Sequence, residues 1–292
     1  MLFIVLSIVT TTLIITLFKL FGYFKVNTFL AIIVNYLTAA IFGFLISPSI
    51  PSIEIITEQS WLPVTLLAGI LFIAVFQAMA LTTQKIGVSV ATVASKMSVV
   101  IPVIAAFILY GDSVNGLKII GLIIAVVSVV LTSIKEESTK STSSFIQKIG
   151  LPSIVFFGGG SIDLFVNYMQ INFTSPIFTN QLLLSFTFTG AFLTGLVLLL
   201  ISVLQKKKID FNLKSIGFGI FLGVLNFYSI IFIMKAIESN VLQSSVLFPL
   251  NNMSVVLLSS SVGYFFFKEK ISFINLLGII LAVIAILLIM IS

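Results

Sequence analysis

Long apolar runs separated by short polar breaks follow one another along the whole sequence. Each run is about 20 residues long, the length at which an α-helix crosses the hydrocarbon core of a bilayer. Helix-stopping residues lie in the breaks, as at Ser47 to Pro51, Gly111-Asp112 and Ser175-Pro176. The pattern predicts ten transmembrane helices, at 2–20, 28–46, 62–84, 88–109, 116–134, 151–171, 177–204, 213–236, 241–267 and 272–291.

The composition agrees with an all-α membrane protein. Hydrophobic residues make up 59% of the chain and charged residues only 8%, against roughly 25% charged in ordinary soluble domains. Cysteine and histidine are absent, which excludes Cys/His metal sites and Ser-His-Asp triads, so we expect no cofactor and no enzyme. All 15 basic residues are lysine, and the net charge of +6 indicates contact with anionic lipid and not with nucleic acid.

An internal repeat divides the chain into two halves. Met97 to Val100 recurs as Met253 to Val256, and Gly121 to Ala125 resembles Gly278 to Ala282. An acid follows the penultimate span of each half, Asp112 and Glu269. Five spans per repeat is an odd number, which predicts two inverted five-helix repeats. The predicted domains are a first repeat at 1–134, a polar linker at 135–150 and a second repeat at 151–292.

The lysines also predict an orientation. Only Lys118 and Lys235 fall on one side of the predicted membrane, and the loop lysines on the other side are Lys19, Lys25, Lys85, Lys135, Lys140, Lys148, Lys206, Lys207, Lys208, Lys214, Lys268 and Lys270. The positive-inside rule then places both termini outside the cell. Trp61, near the end of a span, is expected to be an interface anchor.

Two ionisable side chains lie deep inside predicted spans, Lys96 in the fourth and Asp163 in the sixth. Such a residue costs about 2.5 to 3.5 kcal/mol at the centre of a membrane helix, so by default it lines a cavity or meets a partner. We expect both to contact the substrate. The structural alternative is a fixed ion pair that only ties the halves together. Without histidine, Asp163 is the candidate for proton coupling.

Other polar side chains within the spans extend the candidate site. Asn252 takes the place of Lys96 in the second repeat, and Asn167 lies four residues after Asp163, on the same helix face. Polar side chains of this kind also join membrane helices, at about 0.6 to 2 kcal/mol each, so packing is the alternative. The predicted substrate-binding residues are Lys96, Asp163, Asn167, Asn251, Asn252, Asn35, Gln77, Asn226, Tyr228 and Gln181.

The paired motifs resemble those of EamA-type transporters of the drug/metabolite transporter superfamily. The most specific pieces are Pro102 to Asp112 followed by Gly121 to Leu131, and the matching stretch Phe265 to Leu288. The resemblance implies alternating access around a central cavity, with metabolites as substrates. It also implies cytoplasmic termini, whereas the lysine distribution predicts the opposite.

The function predicted from these features is secondary transport of a small polar metabolite across the plasma membrane. Opposite charges at Lys96 and Asp163 favour an amino acid or a similar zwitterion. A phosphorylated or nucleotide-linked metabolite is the alternative substrate, and a non-transporting membrane scaffold is the alternative class of protein. The expected partners are the small-molecule substrate and the lipid bilayer, with a monomer or homodimer as the assembly.

Overall fold

The computed structural model describes residues 1–47, 50–110, 115–134, 145–206, 211–239 and 244–291. Within these ranges the chain forms helices, turns and short connections, and no β-strand occurs there. The helices are α1 (Leu2–Tyr23), α2 (Thr28–Ile46), α3 (Ile53–Thr57), α4 (Leu62–Lys85), α5 (Val88–Met97), α6 (Val100–Tyr110), α7 (Gly116–Ser133), α8 (Phe145–Phe173), α9 (Asn180–Leu204), α10 (Leu213–Glu238), α11 (Ser244–Phe265) and α12 (Phe273–Ile291).

Most of these helices match the predicted spans. In the described part of the chain, nine helical segments are long and apolar enough to cross a membrane, and one of them, Val88–Ala105, combines α5 with the start of α6. The remaining predicted span, the ninth at 241–267, corresponds to α11, which has 22 residues and carries Asn251 and Asn252. The prediction of an all-α, multi-pass membrane protein is confirmed. The inverted relation of the two halves stays a prediction.

Local signals determine where several helices begin. Asn27 precedes α2, and its side chain accepts a hydrogen bond from the Leu30 N–H at 3.2 Å. Asn115 precedes α7 and accepts from the Lys118 N–H at 2.9 Å in the same way. These side chains satisfy backbone donors that have no partner inside the first helical turn. Helix boundaries of this kind can be located from short sequence patterns alone.

The fourth predicted span, 88–109, is not one continuous helix. It divides into α5, ending at Met97, and α6, beginning at Val100. Pro102 has no N–H for the Ser98 carbonyl four residues earlier, and the Ile101 N–H donates to that carbonyl instead, at 2.9 Å. The result is a short α5 of 10 residues with its own C-terminal end inside the predicted span.

Two further boundaries differ from the predictions. α8 begins at Phe145, inside the predicted linker 135–150, and its membrane-length apolar segment begins at Ile149. The rest of that linker, at 135–144, lies outside the described residues, as does Asp112. The five-residue helix α3 was not predicted at all.

Two compact units make up the chain. Unit 1 comprises Met1–Leu20, Ala78–Ser161 and Tyr228–Ser292, and unit 2 comprises Phe21–Gln77 and Ile162–Phe227. Each unit therefore combines segments of both predicted repeats. The division of the chain into repeats at 1–134 and 151–292 stays a prediction.

Unit 1 contains a close antiparallel pair, α7 and α12. A Cβ added at Gly278 would lie 2.8 Å from the Thr132 backbone nitrogen, and one added at Gly121 would lie 3.2 Å from the Ala285 carbonyl oxygen. The Asn275 amide nitrogen donates to carbonyls at the end of α7, at 2.9 Å to Thr132 and 2.6 Å to Ile134. These bonds satisfy carbonyls that the helix end leaves unpaired.

Unit 2 is built on α2, which packs against α9 and α10. A Cβ at Gly219 would lie 2.7 Å from the Ala31 carbonyl oxygen, and one at Gly223 would lie 2.5 Å from Thr38 Cβ. The GxxxG pair therefore serves close helix packing, as such pairs commonly do. On another face of α2, the Tyr36 hydroxyl donates to the Phe72 carbonyl of α4 at 2.8 Å.

Candidate functional site

Lys96 lies in the last turn of α5, directly before the break that separates α5 from α6. Its side chain is half-buried within unit 1. Helix ends inside membrane spans expose backbone carbonyls, and transporters use such ends to meet ions and substrates. The structure therefore places Lys96 at a helix end inside a membrane-length segment.

Glycines of α8 lie against this break. A Cβ at Gly160 would come within 2.8 Å of the Ser98 carbonyl oxygen, and one at Gly159 within 3.1 Å of Ser98 Oγ. From the sequence, these glycines could admit either another backbone or a ligand. In the structure, Gly160 admits the Ile101 side chain and the Ser98 carbonyl, and Gly159 admits the Ser98 side chain.

The C-terminal half of α8, in unit 2, has a polar and exposed face. Asp163 and Asn167 are both exposed, as expected for residues four apart on one helix. Asp163 lies near the middle of the membrane-length segment Ile149–Phe173. Exposed polar groups at this depth are characteristic of a surface in contact with water and not with lipid.

The opposite face of α8 is apolar and packs within unit 2. Met169 is 4% exposed and belongs to a hydrophobic cluster with Leu182 and Leu183 of α9. Phe165 packs against the same cluster. α8 thus has one face that packs in unit 2 and one exposed face, where Asp163 and Asn167 lie beside the exposed Tyr168 and Ile171.

Buried amide side chains occur in both units. In unit 2, Asn35 is fully buried, and neither its amide nitrogen nor its amide oxygen has a hydrogen-bond partner among the described residues. Gln77 Oε1 of α4 is also buried, and it too has no hydrogen-bond partner among the described residues. In unit 1, Asn251 is 5% exposed, and its Oδ1 also has no partner within the described ranges. Each such group costs roughly 1 to 3 kcal/mol unless water or a ligand satisfies it.

The other predicted site residues are distributed over the two units. Asn226 is buried on α10 of unit 2, three residues beyond Gly223, where α10 packs against the α2 helix that carries Asn35. Gln181 is half-buried in the first turn of α9. In unit 1, Asn252 is half-buried, and the half-buried Tyr228 stacks on Phe232 with 5.6 Å between ring centroids. Lys96 and Asp163 belong to different units, so their joint action stays a prediction.

Trp61 is not the interface anchor that the sequence predicted. It is 1% exposed and lies in an aromatic cluster of unit 2, with ring centroids 5.2 Å from both Phe178 and Phe186. Burial of these apolar rings outweighs interfacial anchoring, although the indole N–H has no hydrogen-bond partner in the described structure. The sequence position near a span end gave no sign of this packing.

Sequence reasoning also missed a role for Glu269. Its carboxylate lies 2.7 Å from the Lys19 ammonium and accepts hydrogen bonds from the Val88 backbone N–H. The only available signal was its position after the penultimate span. This contact lies within unit 1, on the helix that carries Lys96.

A bundle of membrane-length helices with a polar face defines the class of protein as a multi-pass membrane protein. The EamA-like transporter family matches residues 166–291. An uncharacterized protein of Haemophilus influenzae is 31% identical over 260 residues, covering 88% of this chain and 86% of that protein. The chain belongs to the EamA-like transporter family. It is a membrane transporter of the drug/metabolite type, located in the cell membrane.

Proposed function

We propose that this protein is a secondary transporter that moves a small polar metabolite by alternating access, with an amino acid or a similar zwitterion as the favoured substrate. The observation that carries the proposal is the exposed polar face of α8, with Asp163 near the middle of a membrane-length segment. Family membership supports transport in general, and the chemistry of this face supports a polar substrate.

The cost of placing polar side chains in lipid favours water as the surroundings of this face. An ionised carboxylate at the centre of a membrane helix costs about 2.5 to 3.5 kcal/mol, and Asn167 next to it would leave amide groups unsatisfied in hydrocarbon. A water-filled chamber beside Asp163 and Asn167 would remove this cost. A chamber of this kind is what a transporter of polar compounds requires.

The charges favour a zwitterion. Lys96 would meet a carboxylate of the substrate, and Asp163 would meet its ammonium group or a coupling proton. The buried amides Asn35, Gln77 and Asn251 offer both donors and acceptors, and their free atoms are groups that water or substrate can satisfy. With lysine as the only basic residue type, the site would hold an anionic group by a point charge and not by a two-pronged guanidinium clamp.

Uptake into proteoliposomes tests the proposal. The purified protein would be assayed with each ¹⁴C-labelled proteinogenic amino acid, with and without a pH gradient. Lys96→Ala and Asp163→Asn should each lower uptake at least tenfold, the equivalent of about 1.4 kcal/mol. Lys118→Ala and Glu58→Gln are the matched controls, because Lys118 lies in the first turn of α7 and Glu58 is exposed beside α3.

The outcomes separate the alternatives. Normal uptake by both Lys96→Ala and Asp163→Asn would refute the proposed site. Uptake restricted to phosphorylated or nucleotide-linked compounds, and lost in Lys96→Ala alone, would indicate the alternative substrate class. If the folded wild-type protein transports neither amino acids nor phosphorylated metabolites, the transport proposal fails. That result would support the alternative that the protein is a non-transporting membrane scaffold.

A further inference from the structure

Glu269 lies in the connection between α11 and α12, and its carboxylate reaches the beginning of α5, 181 residues earlier in the chain. The two carboxylate oxygens lie 3.0 and 3.1 Å from the Val88 backbone nitrogen, and they share its N–H. Val88 is fully buried, and Gly87, which precedes it, has no side chain to cap the helix. The first turn of α5 therefore takes its capping acceptor from Glu269.

Lys19 holds the same carboxylate from α1. The ammonium nitrogen lies 2.7 Å from Glu269 Oε1, and the two side chains are only 20% and 14% exposed. The ammonium also donates to the Thr83 carbonyl near the end of α4, at 3.2 Å. Hydrogen bonds between charged groups are stronger than neutral ones, and limited exposure reduces solvent screening. Glu269 thus joins the ends of α1, α4 and α5 within unit 1.

Two glycines leave room for the carboxylate. A Cβ at Gly263 would lie 2.8 Å from Glu269 Oε2, and one at Gly87 would lie 3.1 Å from the same oxygen. The Glu269 backbone N–H donates to the Gly263 carbonyl at 3.0 Å, which directs the chain back toward α5. A side chain at either glycine would displace the carboxylate, so the contact depends on a specific local arrangement.

We propose that Glu269 is a positioning residue for transport, which holds the first turn of α5 and through that helix sets the position of Lys96. Lys96 lies eight residues after Val88, about 12 Å along the helix axis. α5 is only 10 residues long, and the break after Met97 removes continuous support from α6. The capped end therefore adds a polar restraint to the packing of this short, buried helix. The inference rests on the proposed function, which assigns Lys96 to the substrate.

The test measures the hydrogen exchange of α5 and the chemical reactivity of Lys96 in the full-length protein, purified in nanodiscs. Hydrogen exchange of peptides covering residues 86–97 reports on the first turn of α5, and acetic anhydride labelling followed by mass spectrometry reports the reactivity of Lys96. The variants are Glu269→Ala, Glu269→Gln and Lys19→Met. Glu58→Ala is the matched control, because it removes an exposed carboxylate outside unit 1.

We expect Glu269→Ala to raise exchange in this peptide roughly 2- to 30-fold, as loss of an N-cap acceptor does, and to change Lys96 labelling by at least about twofold. Glu269→Gln keeps an oxygen acceptor for the Val88 N–H and should restore both values to within about twofold of wild type. Lys19→Met keeps the carboxylate and should give a smaller change than Glu269→Ala. Glu58→Ala should match the wild-type protein in both measurements.

Two results would overturn the inference. If α5 of Glu269→Ala exchanges at the wild-type rate, the carboxylate does not hold the first turn of this helix. Faster exchange with unchanged Lys96 labelling would show that Glu269 caps the helix without positioning Lys96. Neither measurement needs a substrate, so normal uptake by Lys96→Ala would contradict the proposed function alone, and exchange and labelling would still decide the role of Glu269.

Discussion

The close contact between α4 and α9 in unit 2 predicts that a larger side chain there will lower the stability of the protein. Gly69 and Gly190 face each other there. A Cβ added at Gly69 would overlap the Gly190 and Ala191 backbone, and one added at Gly190 would lie 2.7 Å from Leu66 Cα and 2.8 Å from the Leu66 carbonyl oxygen. Backbone atoms cannot rotate away as a side chain can. Gly69→Ala must therefore push the two helices apart.

The size of the effect follows from the geometry. Inserting a methyl group into a packed interface typically costs about 1 to 3 kcal/mol, with the upper part of this range expected where backbone blocks relaxation. Alanine favours helix over glycine by about 1 kcal/mol, but membrane helices remain largely helical on unfolding in detergent, so little of this gain offsets the clash. At about 2 to 4 °C per kcal/mol, Gly69→Ala should lower the unfolding temperature by roughly 4 to 10 °C.

Thermal unfolding of the detergent-solubilised protein, followed by size-exclusion chromatography of heated samples, measures this shift. Gly217→Ala is the matched control, because no atom lies within 4 Å of a Cβ added there, and its change should stay within about 0.5 kcal/mol. Gly69→Ala combined with Gly190→Ala should cost less than the sum of the two, because one separation relieves both clashes. An unfolding temperature of Gly69→Ala equal to that of Gly217→Ala would refute the reasoning.

Three further predictions use the same unfolding assay. Asn275→Leu removes the amide that meets the last carbonyls of α7 and should destabilise the protein by about 1 to 3 kcal/mol; an unchanged unfolding temperature would contradict this. Lys268 has a positive φ of 52°, so Lys268→Gly should gain about 1 kcal/mol, whereas Lys270→Gly should not. Asn35→Leu should stabilise the protein and lower uptake. Lower stability with normal uptake would instead show that Asn35 serves helix packing.

The candidate site illustrates a division between stability and function. Asn35 is buried among apolar helices with both amide atoms unsatisfied in the described structure, an arrangement that a protein optimised only for stability would replace with leucine. Asp163 is exposed at a depth where an apolar residue would cost nothing. Asn35 lowers stability unless water or a ligand satisfies its amide group, and this cost is a physical argument for a role in transport.

The class of protein and most of its helices can be predicted from the amino-acid sequence. Transfer of an apolar run into the bilayer depends on the local composition of about 20 residues, so spans such as α2 and α9 could be predicted without knowledge of their neighbours. The 3.6-residue helical period likewise predicts that Asp163 and Asn167 share a face. Pro102 marked a disturbance of the fourth span, although the division into two helices required the structure.

The contacts between helices could be identified only in the folded protein. Glu269 meets a backbone N–H 181 residues away, Gly69 faces Gly190, and Trp61 lies inside an aromatic cluster. Membrane helices pack through small differences in shape and hydrogen bonding, because lipid is as apolar as most helix surfaces. Such contacts join residues that are far apart in the chain, and a single sequence does not indicate which of these residues form a pair.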